Sequence, residues 1–205
     1  MMLEGTREQM NYDLDDYGST SKVYILKDLI QKYMPSIEGR NLKVLDIGYG
    51  SESLAIFMAS LGHDVTSIDC SEEVLKKSMK NSGEYRNIIK FKKMDAQSLH
   101  FKDNSFDLIV AKNLISSLDY PSMAYREWYR VLSPGGKIIN FDIKDTITKY
   151  RPLSNIERPS WDVDTLLEIG FNKVKVKNNV KSQGLQADDS INYSESLMFM
   201  VVSEK

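Results

Sequence analysis

The sequence predicts an α/β protein: a three-layer sandwich on a mostly parallel seven-stranded sheet, with an antiparallel C-terminal strand pair and an N-terminal helical extension. Two observations predict it. Short apolar runs alternate with helix-period segments through the middle of the chain, which is the order of elements that builds a parallel sheet covered on both faces. Near the C-terminus a lysine-alternating strand is followed, across a polar connection, by a last apolar run read as its antiparallel partner.

The elements follow in order. Residues 21–34 form a helix that precedes the first strand and is not needed to build the sheet, so residues 1–38 are taken as an extension bearing a lid helix and residues 39–205 as a single domain. Residues 42–47 are the first strand. Leu54, Phe57, Met58 and Leu61 recur at i, i+3, i+4 and i+7, which makes residues 51–61 a helix with Gly62 as its cap. Residues 65–68 form the second strand, and Ser71 with Glu72 and Glu73 opens the next helix with acids at its positive end. Residues 88–94 and 106–110 are the third and fourth strands. Pro121 starts a helix that runs through Trp128 and Leu132 and stops at Ser133-Pro134-Gly135-Gly136, before a fifth strand at 137–141. A helix over 163–169 closes at Gly170. Val174 and Val176 then alternate with Lys173, Lys175 and Lys177, a strand with one wet face, and residues 197–202 are its partner across a polar connection, 178–194.

Composition narrows the class. The net charge is −2 and the basic residues are scattered, which argues against a nucleic-acid partner. Cys70 is the sole cysteine and His63 and His100 the two histidines, so no metal-ligand cluster or disulfide framework is expected. No apolar run approaches the roughly eighteen residues that cross a bilayer, and Glu4, Arg7 and Glu8 interrupt the start where a signal peptide is apolar. These features predict a cytoplasmic protein, monomer or homodimer, with no membrane, nucleic-acid or metal partner.

The chemistry concentrates after the first strand, in Asp46-Ile47-Gly48-Tyr49-Gly50-Ser51-Glu52. Two glycines let the backbone approach a ligand at a helix N-terminus. A dinucleotide would set its pyrophosphate beside Asp46 and Glu52, and like charges in a partly desolvated cleft repel; its fingerprint also wants glycine or alanine where Ser53 stands. A cationic adenosyl sulfonium suits these acids better. Asp69 ends the second strand about twenty residues on, where a carboxylate can accept bonds from both ribose hydroxyls. Asp95 follows the third strand, at the same carboxyl edge.

These residues belong to a longer pattern: Val44 to Gly50; Val65-Thr66-Ser67-Ile68-Asp69-Cys70-Ser71; Asp95-Ala96, then Phe101-Lys102-Asp103-Asn104-Ser105-Phe106-Asp107; Trp128 to Gly136; and Leu166-Leu167-Glu168-Ile169-Gly170-Phe171. In that order they resemble the Rossmann-like class I S-adenosylmethionine-dependent methyltransferases, especially the small-molecule branch with quinone-biosynthesis enzymes. The resemblance implies S-adenosylmethionine as methyl donor and S-adenosylhomocysteine as product. It implies that Asp46, Gly48 and Gly50, with Tyr49 between them, line the methionine end, that Asp69 holds the ribose, and that Asp95 with the Ala96 backbone reads the adenine. Cys70 then lies against the adenine ring; as a residue type it equally suits a small buried hydrophobe. Asn113 falls where the family contacts cofactor or acceptor, or serves a turn. Two positions depart from the family: Glu52 replaces a glycine, and Ser116-Ser117 stand where a histidine is frequent. That leaves two readings, an active enzyme and a catalytically impaired binding or regulatory protein of the same fold.

For the acceptor, a small molecule fits a chain without inserted domain or basic face. Asp142, at the end of the fifth strand, is the candidate general base, its alternative being a solvated strand-end acid. Tyr12, Tyr17, Asn113 and Trp161 are candidate walls of the acceptor pocket, or plain packing residues.

Overall fold

The computed structural model describes residues 20–48, 54–144, 152–154, 156–180 and 198–205, the side chains of 20–25 excepted. Seven strands form one sheet: β1 Lys43–Ile47, β2 Asp64–Asp69, β3 Lys90–Lys93, β4 Phe106–Lys112, β5 Leu132–Ile143, β6 Lys173–Val180 and β7 Met198–Glu204. Their order is β3-β2-β1-β4-β5-β7-β6. The first five are parallel, and β7 runs antiparallel to both β5 and β6. The chain winds outward from β1 through β2 to β3, then returns to the other side of β1 for β4 and β5. β1 and β4 are therefore neighbours whose next strands lie on opposite sides of them, the switch point at which open parallel sheets form a crevice at the carboxyl edge.

Among the described residues five helices cover the sheet: α1 Thr20–Tyr33, α2 Leu54–Ser60, α3 Glu72–Asn81, α4 Pro121–Val131 and α5 Ser160–Ile169. Strand alternation divides the core in two. On one face Leu45, Ile47, Ile109 and Ile138 pack with Trp128 and Tyr125 of α4 and Leu166 of α5. On the other, Val44, Val110, Ile139 and Phe141 pack with Leu26 and Ile30 of α1 and with Leu54 and Met58 of α2. Residues 1–38, read from the sequence as a lid-bearing extension, are described only from Thr20, and there α1 is part of the core.

Local signals account for most boundaries. Ser71 caps α3, its hydroxyl accepting from the Val74 N–H at 3.3 Å. Pro121 opens α4. Gly170 ends α5 with φ of 117°, a conformation that would strain any residue with a Cβ.

Three strands differ from the sequence expectation. β3 is shorter than 88–94, because the N–H groups of Ile88 and Ile89 both turn back to the Tyr85 carbonyl and close a 3-10 turn, Gly83–Asn87. β5 starts at Leu132 rather than after the Pro-Gly-Gly breaker. Leu132 pairs with Phe106 and Lys137 with Leu108, so the breaker is a bulge within the strand. The bulge is held from the chain's last residue, through Gly135 N–H to Lys205 O at 2.9 Å and Lys205 N–H to Gly136 O at 3.0 Å. β6 is the outermost strand, and the face expected to be dry is only partly covered: Val174 is half-buried against the core, while Val176 is 37% exposed.

Lys205 also caps α4. Its ammonium donates to the carbonyls of Leu132 at 2.7 Å, Tyr129 at 2.8 Å and Arg130 at 3.4 Å, and to Asn104 Oδ1 at 3.0 Å. A cation at a helix C-terminus meets the negative end of the dipole and orphan carbonyls together. Lys205→Ala should lower unfolding stability by about 1–3 kcal/mol in a urea titration. An unchanged midpoint and slope would show that the cap contributes nothing.

Candidate active site

Asp46 is the fourth residue of β1 and lies 4% exposed at the carboxyl edge. Register pairs it with Ser67 of β2 and Val110 of β4, and the Ser67 hydroxyl donates to its Oδ2 at 2.9 Å. Burial raises the Asp46 carboxyl to about 7; the Ser67 bond pulls it down, and the charge of Asp69 pushes it further up. A carboxylate in that state is costly to keep charged until a cation reaches it. Gly48 follows with φ of 79° and gives its N–H to Ile68 O at 3.0 Å, which turns the chain sharply out of β1. The donor set thus fits a cationic ligand and would be worsened by a pyrophosphate.

Asp69 ends β2 half-buried, and its Oδ1 accepts the Ser71 N–H at 2.8 Å. Asp95 is exposed past β3, its Oδ1 bonded to the Gln97 N–H at 2.8 Å. Met94 N–H reaches Asp69 O at 3.0 Å, so these two acid-bearing turns are adjacent. Ala96 is buried, with its carbonyl taken by the Trp128 indole at 3.1 Å. Cys70 is exposed, which removes the buried-hydrophobe reading.

On the other side of β1, Asn113 leaves β4 with φ of 52°, exposed, its N–H on Phe141 O at 2.8 Å. The left-handed turn role is realised there. Leu114 then packs on the glycine turn: its Cδ1 lies 3.4 Å from where a Cβ on Gly48 would stand.

Asp142 is neither solvated nor free. It is fully buried, and it accepts from Ser116 N–H at 3.2 Å, Ser116 Oγ at 3.0 Å, Ile143 N–H at 2.9 Å and Arg158 Nη1 at 2.8 Å. A base must reach the proton that it abstracts, and this carboxylate is enclosed by donors. Arg158 also grips Asp162 through Nη2 at 2.6 Å and Nε at 2.8 Å. Burial would lower the Arg158 pKa, but the bonds to Asp162 and the charge of Asp142 outweigh it and raise it above the ordinary value. Tyr125 donates to Asp162 at 2.7 Å and accepts from Asn140 at 3.2 Å; burial, then the Asp162 charge, drives its phenol far up. Trp161, half-buried, stacks on Tyr125 with ring centroids 6.1 Å apart.

Tyr12, Tyr17, Tyr49, Gly50, Glu52 and Ser53 lie outside the described residues. Sequence reading missed Arg158, Asp162, Tyr125 and Asn140. A signal existed: Asn140 and Asp142 share one face of an otherwise apolar buried strand, which demands polar partners, and Arg158 stands four residues before Asp162, within reach of it. Among the described residues no helix is long and apolar enough to cross a membrane, and no three His, Cys, Asp or Glu are grouped to hold a metal ion.

Residues 45–140 match the family model described as a methyltransferase domain. The chain is 28% identical over 162 residues to demethylmenaquinone methyltransferase of Desulfitobacterium hafniense, covering 71% of this chain and 64% of that protein. It is 31% identical over 149 residues to the ubiquinone/menaquinone biosynthesis C-methyltransferase UbiE of Rickettsia felis, covering 68% and 58%. It spans somewhat over half the length of these relatives. The structure of an S-adenosylmethionine-dependent methyltransferase from Methanosarcina mazei shares the fold, with TM-score 0.64 and 22% identity over 86% of this chain and 96% of that one. The sheet and crevice define a Rossmann-like methyltransferase fold. With the domain match over residues 45–140 and these relatives, the chain is similar to the class I S-adenosylmethionine-dependent methyltransferases.

The state of Asp46 has a pH signature. Its folded pKa, about 7, is above the ordinary 3.8, so its protonated form stabilises the fold. That contribution is complete below the ordinary value and is lost as pH rises through about 7. Without ligand, Asp46→Asn should therefore gain stability over the parent by about 1–4 kcal/mol between about pH 5 and about pH 8, read as the difference of two urea titrations. A pH-independent difference would reject burial of the charge.

Proposed function

We propose that this protein transfers the methyl group of S-adenosylmethionine to a small-molecule acceptor. The observation that carries the reading is the buried Asp46 carboxylate at the crevice between β1 and β4, poised to be neutralised by a cation. Bound there, S-adenosylmethionine supplies an electrophilic methyl carbon on a sulfonium. Asp46 and Gly48, with Tyr49 and Gly50, serve the methionine end, Asp69 the ribose, and Asp95, Ala96 and Cys70 the adenine side. Asn113 sits between donor and acceptor.

The chain's task is orientation. In-line displacement needs the attacking atom about 3–3.5 Å from the methyl carbon, and holding it so can supply roughly 7–11 kcal/mol. A bound donor would give up its methyl group and leave as the neutral thioether S-adenosylhomocysteine, and the acceptor's proton would pass to water. Asp142 is bonded on both oxygens, so its role here is to position rather than to take that proton. Trp161 stands on the same side as a wall of the acceptor pocket. Two relatives are named for quinone-type acceptors, which supports an acceptor of that size and a carbon or oxygen nucleophile. Action in the cytoplasm, as monomer or homodimer and without nucleic acid, belongs to the same proposal.

Calorimetry should show binding of S-adenosylmethionine and S-adenosylhomocysteine. Asp69→Asn keeps an acceptor for the Ser71 N–H but removes the charge, so affinity should fall about tenfold to a hundredfold. Unchanged affinity would reject the ribose assignment. Isotopically labelled methyl should pass to a small-molecule fraction of cell extract; binding without any transfer would leave the catalytically impaired reading standing instead.

A further inference from the structure

We infer that Arg158, Asp142 and Ser116 form a positioning device that holds the loop after β4 beside Gly48 and thereby sets how firmly the amino-acid end of the cofactor is held. The inference rests on the cofactor reading above and assigns to it residues that no binding motif contains.

Geometry carries it. Asp142 stands on the α4–α5 face of β5, since it follows Ile138 and Asn140 in the strand alternation, whereas Asp46 aligns with Val110 on the opposite face. The two carboxylates therefore never meet; what joins them is the loop. Ser116 donates twice to Asp142, and Arg158 fixes Asp142 from the start of α5 while Asp162 fixes Arg158. Every side chain in that chain of bonds except Ser116 is fully buried or nearly so, and the Arg158 guanidinium lies over the Phe199 ring at 5.0 Å. Two residues before Ser116, the Leu114 side chain lies beside Gly48, 3.4 Å from where a Cβ on it would stand. Such a network has one low-energy arrangement, because a carboxylate shifted away from its donors in a dry interior loses each bond without water to replace it. The position of Leu114 is thus inherited from Arg158.

Strand order says which part of the ligand feels it. Asp69 and Asp95 follow β2 and β3, on the far side of β1 from β4. Slackening the loop should disturb Gly48 and leave the adenosine side untouched.

The test compares two ligands that share the adenosine part: S-adenosylhomocysteine, and 5′-methylthioadenosine, which lacks the amino-acid end. Ser116→Ala removes one hydroxyl at a half-buried position and leaves the Arg158–Asp142 pair intact. It should weaken S-adenosylhomocysteine about three- to tenfold while 5′-methylthioadenosine stays within about twofold. Leu114→Ala, which empties the space beside Gly48, should reproduce the same split, and Arg158→Lys should do so more strongly if it folds. Parallel weakening of both ligands, or a drop in melting temperature with neither affinity changed, would overturn the inference and leave the network purely structural. Failure of the unaltered protein to bind either ligand would instead overturn the cofactor reading beneath it.

Discussion

Two carboxylates taken out of water at the same edge of one sheet, on opposite faces, govern the rest of this structure. Each costs several kcal/mol to bury charged. Asp142 is answered within the fold by an arginine and three N–H or O–H donors. Among the described residues Asp46 is answered by the Ser67 hydroxyl and, near neutral pH, by its own proton. The first is a completed interaction that ties elements together; the second is an incomplete one that a cation can complete. The difference separates the part of the edge that builds the protein from the part that receives a ligand.

The parallel sheet makes that division possible. Because β1 sits in the middle and the chain departs to either side of it, its carboxyl end lies at the topological switch point of the sheet. The opposite edge is tied shut: Asp107, at the start of β4, is held by Arg40 at 2.6 and 2.9 Å and by the Lys43 N–H at 2.8 Å. The bonds from Arg40 hold the Asp107 carboxyl below its usual range against the pull of burial. One end of the sheet is an ion-paired base and the other a crevice edged with acids.

Much of this was legible in the sequence because it rests on local chemistry. Ser71 before two glutamates, Pro121 before an amphipathic run, and Gly170 at the close of α5 each satisfy a helix end with their own atoms or backbone freedom, and each does so in the structure. Asp46, Asp69 and Asp95 were visible as acids at strand ends for the same reason: a strand's end is set by its own apolar run. The misreadings share the opposite property. Cys70 as a small buried hydrophobe, Asp142 as solvated or free to act as a base, and the breaker at 133–136 as a loop all depend on what distant residues cover, and the distant residue was in each case absent from the local pattern.

The sequence by itself determined the order of strands and helices, the place of the glycine turn, and the acidic character of the edge, because periodicity, caps and turn residues act over a few positions. Only the tertiary structure decided which of those acids is satisfied. Ser116 and Arg158 reach Asp142 from opposite sides along the chain, and Lys205 reaches back to the bulge in β5. Electrostatic pairing in a dry interior depends on distance in space, and no spacing along a chain encodes that distance until the sheet has closed.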